Sequence, residues 1–148
     1  GGFSLYGYVK NSNTSIDVLG LSECITTFRA DSRSPEEIIA AGGFKPWGND
    51  YSVLRHATGA NIANKTSGYV STTQFPDVVN KFAITNAIGN QKACYVYKMR
   101  LSSSKIVDVN KQLGNMSPFP EEKETAVKGF ISLKNIISYE VVYPPTPS

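Results

Sequence analysis

Two carboxylates separated by one residue are the feature of this sequence most suited to chemistry. Glu122 and Glu124 flank Lys123 where the pattern predicts the entry to a β-strand. In an extended backbone, residues i and i+2 point to the same face, so the two side chains are expected to project together. Each carboxylate raises the pKa of its neighbour, which favours acid/base work. By itself, however, a charged run is more typical of a solvated surface.

Polar residues upstream give the pair a chemical context. Arg29 lies near the end of a predicted strand, and its planar guanidinium suits a phosphate group. His56 is the single histidine of the chain, so any imidazole function belongs to it. Ser71 and Thr72 lie in a second predicted strand. A surface arginine, a satisfied helix-flank histidine and plain strand propensity are the structural alternatives.

Helix signals cluster early in the chain. Ser34, Pro35 and Glu37 predict a capping box and a short helix that Gly42 ends. Further helices are expected from a cap at Asp50 to Gly59, and from Pro76 to Gly89. Trp47 and Phe75 are candidates to stack on an aromatic ligand; core packing is favoured for Trp47, and the choice stays open for Phe75.

Strand signals dominate later in the chain. β-Branched and aromatic residues predict strands over 25–30, 68–73, 94–101, 105–109 and 136–143. Early helices followed by strands favour an α+β fold with two packed, mainly antiparallel β-sheets over alternating βαβ units.

Composition narrows the function classes. The 148 residues suffice for one domain with a real core. No apolar run approaches the ~18 residues of a membrane-spanning helix, so no membrane partner is expected. The net charge of +3 is too small to indicate a nucleic-acid footprint. Two cysteines and one histidine do not make a metal site.

Four segments together resemble the A chains of cholera toxin, heat-labile enterotoxin and pertussis toxin. Residues 28–38 resemble the family's arginine-bearing first strand, and 43–59 are especially similar to the pertussis enzyme. Residues 68–73 match its Ser-Thr-Ser strand, with Thr73 replacing the last serine. Residues 117–124 resemble the segment that supplies a Glu-x-Glu pair. The resemblance implies an ADP-ribosyltransferase fold and the mono-ADP-ribosyltransferase reaction, with NAD as substrate and no metal.

The resemblance also implies roles for individual residues. Glu124 is expected to stabilise the positive charge that develops on the ribose as nicotinamide leaves. Glu122 is expected to orient and deprotonate an arginine acceptor. Ser71 is expected to hydrogen-bond Glu124 and fix its rotamer, and His56 to help hold the ribose. The residues expected to contact NAD are Arg29, Ala30, His56, Ser71, Thr72 and Glu124.

The start of the chain resembles a different family. Residues 6–11 and 17–21 are similar to the end of an Rhs core, although Val18 stands where that family usually has proline. We therefore expect a linker or arm over 1–21, a catalytic domain over 22–143 and a tail over 144–148. The alternative for the arm is an ordinary disordered segment.

The Rhs resemblance carries expectations about partners and delivery. It implies a secreted effector of the type VI secretion or Rhs type that acts in the cytoplasm of a target cell, in competition between bacteria. It also implies a cognate immunity protein in the producer, and a target such as FtsZ, actin or a small GTPase. The open alternatives are an NAD glycohydrolase, a host-targeting transferase, ADP-ribosylation of RNA, and a non-catalytic RNA-binding module. The lack of a basic run with interleaved aromatics argues against the last.

Overall fold

An antiparallel sheet of six strands organises residues 23–146, the part of the chain that the computed structural model describes. The predicted arm over 1–21 and the last two residues of the predicted tail lie outside the described residues. The strands are β1 (Cys24–Asp31), β3 (Tyr69–Thr73), β4 (Cys94–Ser102), β5 (Ile106–Asp108), β6 (Glu124–Lys128) and β8 (Ile136–Val142). Their order across the sheet is β5-β6-β3-β1-β4-β8.

A second sheet consists of two short strands, β2 (Gly43–Phe44) and β7 (Ile131–Ser132). Gly43 has φ +131°, and a Cβ there would lie 2.0 Å from the carbonyl oxygen of Ile131, so only glycine fits. Phe44 and Ile131 are fully buried in the same hydrophobic cluster as Tyr97 and Met99 of the large sheet. The two sheets therefore share a core, as the α+β prediction expected.

The helix ends show which capping signals were sufficient. The first helix is the predicted one: the Ser34 hydroxyl accepts from the Glu37 amide, and the Glu37 carboxylate accepts from the Ser34 amide. In the second, Ser52 rather than Asp50 is the N-cap, because Asp50 bonds the Ser52 amide and the Arg55 guanidinium. The helices are α1 (Pro35–Ala41), α2 (Val53–Thr58), α3 (Ala60–Ala63), α4 (Pro76–Asn90) and α5 (Val109–Leu113).

The longest helix, α4, covers β1 and β4. Its residues Val79, Ala83 and Ala87 are buried against Cys94 and Val96 of β4. No helix within residues 23–146 is long and apolar enough to cross a membrane. The sequence did not predict α5, which Asp108 caps by accepting from the Lys111 amide. Between α5 and β6 the chain makes short 3₁₀ turns, and the last of them, Pro120–Glu122, leads into the site.

Candidate active site

One wall of the site is built on β1 around Arg29. Its Nη1 donates to the carbonyl oxygen of Ser71 at 2.9 Å, and its Nε donates to the Asp31 carboxylate at 3.2 Å. Asp31 is buried and also accepts from the Arg33 amide (2.9 Å), Nε (3.0 Å) and Nη2 (2.8 Å). Arg29 is thus fixed by its own strand and by β3.

Burial and charge act in opposite directions on this group. Desolvation lowers the pKa of Arg29 from its ordinary value, although the Asp31 charge opposes the shift. Desolvation alone would raise the pKa of Asp31, but the hydrogen bonds and charges of Arg33 and Arg29 outweigh it, and this pKa lies below 3.8. The buried ring of Phe44 lies beneath both guanidinium groups, 5.5 Å from Cζ of Arg29 and 5.7 Å from Cζ of Arg33.

Glu124 forms the opposite wall at the start of β6, where it pairs with Thr73 of β3. Its Oε2 lies 2.6 Å from Nε2 of His56, which is 2% exposed. The other ring nitrogen, Nδ1, lies 2.7 Å from the hydroxyl of Ser67. A proton on Nε2 can therefore be donated to Glu124 while Nδ1 accepts from Ser67. The histidine fixes the carboxylate from behind.

Ser71 contributes differently from what the sequence suggested. Its hydroxyl lies 3.0 Å from Nε2 of His56, so it acts on Glu124 through the histidine rather than by the expected direct hydrogen bond. In the register of β3 and β6, Ser71 pairs with Ala126, whereas Glu124 pairs with Thr73. The buried ring of His56 occupies the gap between the two side chains.

Glu122 reaches the site by a turn rather than by an extended strand. It ends the Pro120–Glu122 3₁₀ turn, and Lys123 has the left-handed φ of +45°. The premise that Glu122 and Glu124 share the face of a continuous strand was therefore wrong, although both line the same cleft. Partial burial raises the pKa of Glu122, and the charges of Glu124 and Glu121 raise it further.

The two walls enclose a cleft of about 280 Å³. The structure brings together six of the seven residues predicted for the site. His56 is the exception, since it stands behind Glu124 rather than in the lining, and its contact with a ribose stays a prediction. Thr72 lines the cleft while its hydroxyl bonds the carbonyl oxygen of Thr125. The lining comprises Phe28, Arg29, Ala30, Ser71, Thr72, Thr73, Val79, Phe82, Asn86, Glu122 and Glu124.

Sequence reasoning missed the side chains that α4 contributes to this lining. Val79, Phe82 and Asn86 are spaced by three and four residues, which places them along one stripe of the helix. Phe82 is 44% exposed, whereas Val79 on the same side of the helix is buried. The polar Asn86 in an otherwise apolar stripe was the signal that this edge of the helix borders an open cleft.

The two aromatic candidates lie outside the cleft lining. Trp47 is 61% exposed, with the Lys65 ammonium 5.4 Å from its ring, so the expectation of core packing was wrong. Phe75 is 47% exposed, with the Lys123 ammonium 4.7 Å from its ring centroid. Within residues 23–146, no cluster of three or more His, Cys, Asp or Glu side chains can hold a metal ion.

The fold and the site define a class of protein. Among similar solved structures is the Scabin toxin from Streptomyces scabies in complex with NADH, at a TM-score of 0.60 and 27% identity. That match covers 81% of this chain and 66% of Scabin. The chain has the ADP-ribosyltransferase fold, as the sequence resemblance implied.

The sequence identifies the family within this class. The model of the heat-labile enterotoxin alpha chain family matches residues 17–143, and the chain belongs to this family. It is 36% identical over 124 residues to the A chain of heat-labile enterotoxin IIB of Escherichia coli, covering 76% of this chain. It is 34% identical over 127 residues to the NAD(+)–arginine ADP-ribosyltransferase Chelt of Vibrio cholerae, covering 78% of this chain. The chain spans 46% of the first relative and 21% of the second.

Proposed function

We propose that this chain transfers ADP-ribose from NAD to an arginine side chain of a target protein and releases nicotinamide. The observation that carries the proposal is the convergence of Arg29, Glu122 and Glu124 on one cleft. A family relative is named as an NAD–arginine ADP-ribosyltransferase, and the fold resembles that of a toxin solved with NADH.

The charges of the two walls fit a dinucleotide. Arg29 uses Nε and Nη1 within the protein, and its guanidinium has five N–H donors, so donors remain for the anionic pyrophosphate. When the bond between nicotinamide and ribose C1′ breaks, neutral nicotinamide leaves and positive charge develops on the ribose. Glu124, held in place by His56, stabilises that charge. The positively charged ribose of the ADP-ribosyl group is then attacked at C1′ by a nucleophile.

Glu122 distinguishes an arginine acceptor from water. A guanidinium is protonated at neutral pH, so it attacks well only when a base takes its proton as the new C1′–N bond forms. Partial burial and the neighbouring carboxylates raise the pKa of Glu122, which makes it a stronger base than an exposed glutamate. Its carboxylate accepts the proton that the guanidinium loses. Water does not need this assistance to the same degree.

The Glu122→Gln variant tests this assignment. We expect transfer to protein arginine to fall by about 10²-fold or more, because the variant loses the general base. NAD hydrolysis is expected to be partly retained. Both rates are measured on one sample, with radiolabelled NAD for transfer and nicotinamide release for hydrolysis. Undiminished transfer in Glu122→Gln would exclude Glu122 as the base. If the unaltered chain cleaves NAD but modifies no protein, the chain is an NAD glycohydrolase instead.

The acceptor is identified by incubating the chain with isotope-labelled NAD and bacterial or host lysates. Mass spectrometry then locates ADP-ribose on a protein or on RNA. Modification of arginine supports the proposal, whereas labelled RNA replaces it with the nucleic-acid alternative. FtsZ, actin and small GTPases are the protein targets that we propose to test first.

We further propose that the chain is the toxic part of an Rhs-type effector that acts in the cytoplasm of a target bacterium. Its support is the resemblance of residues 6–11 and 17–21 to the end of an Rhs core. Production of the chain inside a bacterium is expected to stop growth, with Glu124→Gln as the inactive control. A cognate immunity protein from the producer is expected to restore growth. Toxicity confined to eukaryotic cells would contradict the bacterial target.

A further inference from the structure

A lysine lies between the two carboxylates of the site, yet its ammonium group is turned away from the lining. Lys123 has φ +45°, a conformation that side-chain-bearing residues rarely adopt, and it joins the 3₁₀ turn that ends at Glu122 to β6, which begins at Glu124. Its Nζ lies 4.7 Å from the centroid of the Phe75 ring. This distance is typical of a cation–π contact. The Phe75 ring therefore contacts the ammonium group of the lysine that lies between Glu122 and Glu124 in the sequence.

The backbone of the same turn is anchored to two other elements. The Thr73 hydroxyl donates to the carbonyl oxygen of Lys123 at 2.9 Å and accepts from the Phe75 amide at 3.3 Å. The side-chain amide of Asn110, in α5, donates to the carbonyl oxygen of Pro120 at 2.9 Å. Thr73 therefore joins the turn directly to the segment that presents the Phe75 ring. The ring and the ammonium group are brought together by this shared anchor.

We propose that Phe75 is a positioning residue that holds the Lys123 ammonium away from Glu122 and Glu124, so that both carboxylates stay available in the cleft. An ammonium group on the residue between two carboxylates can form an ion pair with either of them. Such a pair would favour ionised Glu122 and weaken it as a base. It would also offset the negative charge that Glu124 presents to the ribose. The effect on catalysis rests on the proposed function, whereas the position of the Lys123 ammonium and its effect on the pKa of Glu122 do not.

Among the charged groups that the structure describes around Glu122, Lys123 is the cation whose position decides whether Glu122 gains an ion pair. Glu121 in the same turn and Glu124 in β6 are like charges that raise the pKa of Glu122. Arg29 of β1 lines the same cleft but is bonded to Asp31 and Ser71. His56 of α2 is bonded to Glu124 and Ser67. The side chains that α4 contributes to the lining, Val79, Phe82 and Asn86, carry no charge.

The Phe75→Leu variant removes the π face while keeping an apolar side chain. We expect the pKa of Glu122, followed by NMR of the ¹³C-labelled carboxyl group, to shift downward because the freed ammonium now reaches it. Lys123→Met is expected to leave this pKa in place, and the double variant to behave like Lys123→Met. Lys128→Met is the matched control, because Lys128 also lies 4.7 Å from an aromatic ring, that of Tyr51, at the far end of β6.

Three outcomes would overturn the proposal. They are an unchanged titration of Glu122 in Phe75→Leu, the same downward shift in the double variant, and a raised pKa in Lys123→Met. The last would show that the ammonium already contacts Glu122 in the unaltered chain, and it does not depend on the folding of Phe75→Leu.

An activity measurement separates this inference from the proposed function. In Phe75→Leu, we expect the ratio of arginine transfer to NAD hydrolysis to fall about two- to fivefold, the equivalent of one exposed cation–π contact. The acid limb of its pH profile for transfer is expected to move to lower pH. If the unaltered chain has no transferase activity, the proposed function fails while the titration still decides the position of Lys123. If the chain is active and neither the ratio nor the limb changes, the positioning role fails alone.

Discussion

The two walls of the cleft are held by interactions of different strength. On the β1 wall, the buried Asp31 carboxylate bonds two guanidinium groups, and Phe44 packs beneath both. Removing one partner from a buried ion pair typically costs about 3–5 kcal/mol. On the opposite wall, Glu122 stands on a turn that is held by neutral hydrogen bonds from Thr73 and Asn110, about 1 kcal/mol each. The exposed cation–π pair of Lys123 and Phe75 adds about 0.5–1 kcal/mol.

This difference matches what each wall would bind in the proposed reaction. There the β1 wall meets the pyrophosphate of NAD, which is the same in every reaction cycle, so a fixed guanidinium loses little binding energy to reorganisation. The turn that carries Glu122 would meet the acceptor, whose approach has to be accommodated. Glu124 lies between these extremes, because it begins a strand and is held by the buried His56. Under the proposed function, the firmly held groups serve NAD cleavage, and the loosely held Glu122 serves transfer to the acceptor.

The largest effect is expected from Glu124→Gln, which keeps the shape of the side chain but removes its charge. Both nicotinamide release and transfer should fall by about 10²- to 10³-fold, because both reactions pass through a positively charged ribose. Thermal unfolding and the fluorescence change on NAD binding serve as checks that the fold and the β1 wall are intact. Loss of transfer with hydrolysis retained would contradict the separation of roles between Glu124 and Glu122.

Asp31→Asn tests the β1 wall. The amide replaces a carboxylate that bonds Arg29 and Arg33, and we expect the free energy of unfolding to fall by about 3 kcal/mol, since both arginines keep some solvent contact. KM for NAD should rise more than kcat falls, because Arg29 loses its alignment. Urea denaturation and steady-state kinetics measure the two effects. Ser32→Ala, a neighbouring change in the same turn, is the control.

Acid pH gives an independent check on Asp31. Its pKa in the folded chain lies below 3.8, so the charged form stabilises the folded state at neutral pH, and this contribution is lost as the pH falls through the lowered pKa. The stability difference between the unaltered chain and Asp31→Asn is therefore expected to narrow in acid. A constant difference down to acid unfolding would mean that the carboxylate is not what stabilises the wall.

The strongly held wall was also the more predictable one. Arg29 could be placed at the end of a strand because a run of β-branched and aromatic residues precedes it, and the large sheet formed as that pattern predicted. The capping box at Ser34 likewise specified the start of α1, since both of its hydrogen bonds are local. Asp31 itself was not singled out, because its two arginine partners converge on it only in the folded chain.

The sequence was less informative where tertiary contacts decide the backbone. The i, i+2 argument named two residues that do line the cleft, Glu122 and Glu124, but its premise of a continuous strand was wrong. Lys123 between them has a left-handed backbone, which a lysine in the sequence does not predict. The Ser71 hydroxyl was assigned to Glu124, but the long-range position of His56 gave it another partner. The small sheet depends on the close approach of Gly43 to Ile131. Its strands are two residues long, too short to show the alternating pattern that predicts a strand.

The pH dependence of the two reactions distinguishes the walls further. The raised pKa of Glu122 means that it becomes protonated as pH falls while an exposed glutamate, with a usual pKa of 4.5, is still ionised. As the pH is lowered, the ratio of transfer to hydrolysis should therefore begin to decrease at a higher pH than the one at which an ordinary exposed glutamate becomes protonated. In Glu122→Gln the ratio should be low and independent of pH. A constant ratio in the unaltered chain would show that Glu122 is not the base.

The smallest effect is expected from Thr73, whose hydroxyl anchors the turn that carries Glu122. Thr73→Val keeps the volume but removes the hydroxyl that bonds the Lys123 carbonyl and the Phe75 amide, at a cost of about 1 kcal/mol. Since the turn carries Glu122, transfer should fall about two- to fivefold relative to hydrolysis. Thr73→Ser retains the hydroxyl and should leave the ratio unchanged. Equal losses of both reactions in Thr73→Val would mean that Thr73 supports Glu124 as well, and that the carboxylate wall moves as one body.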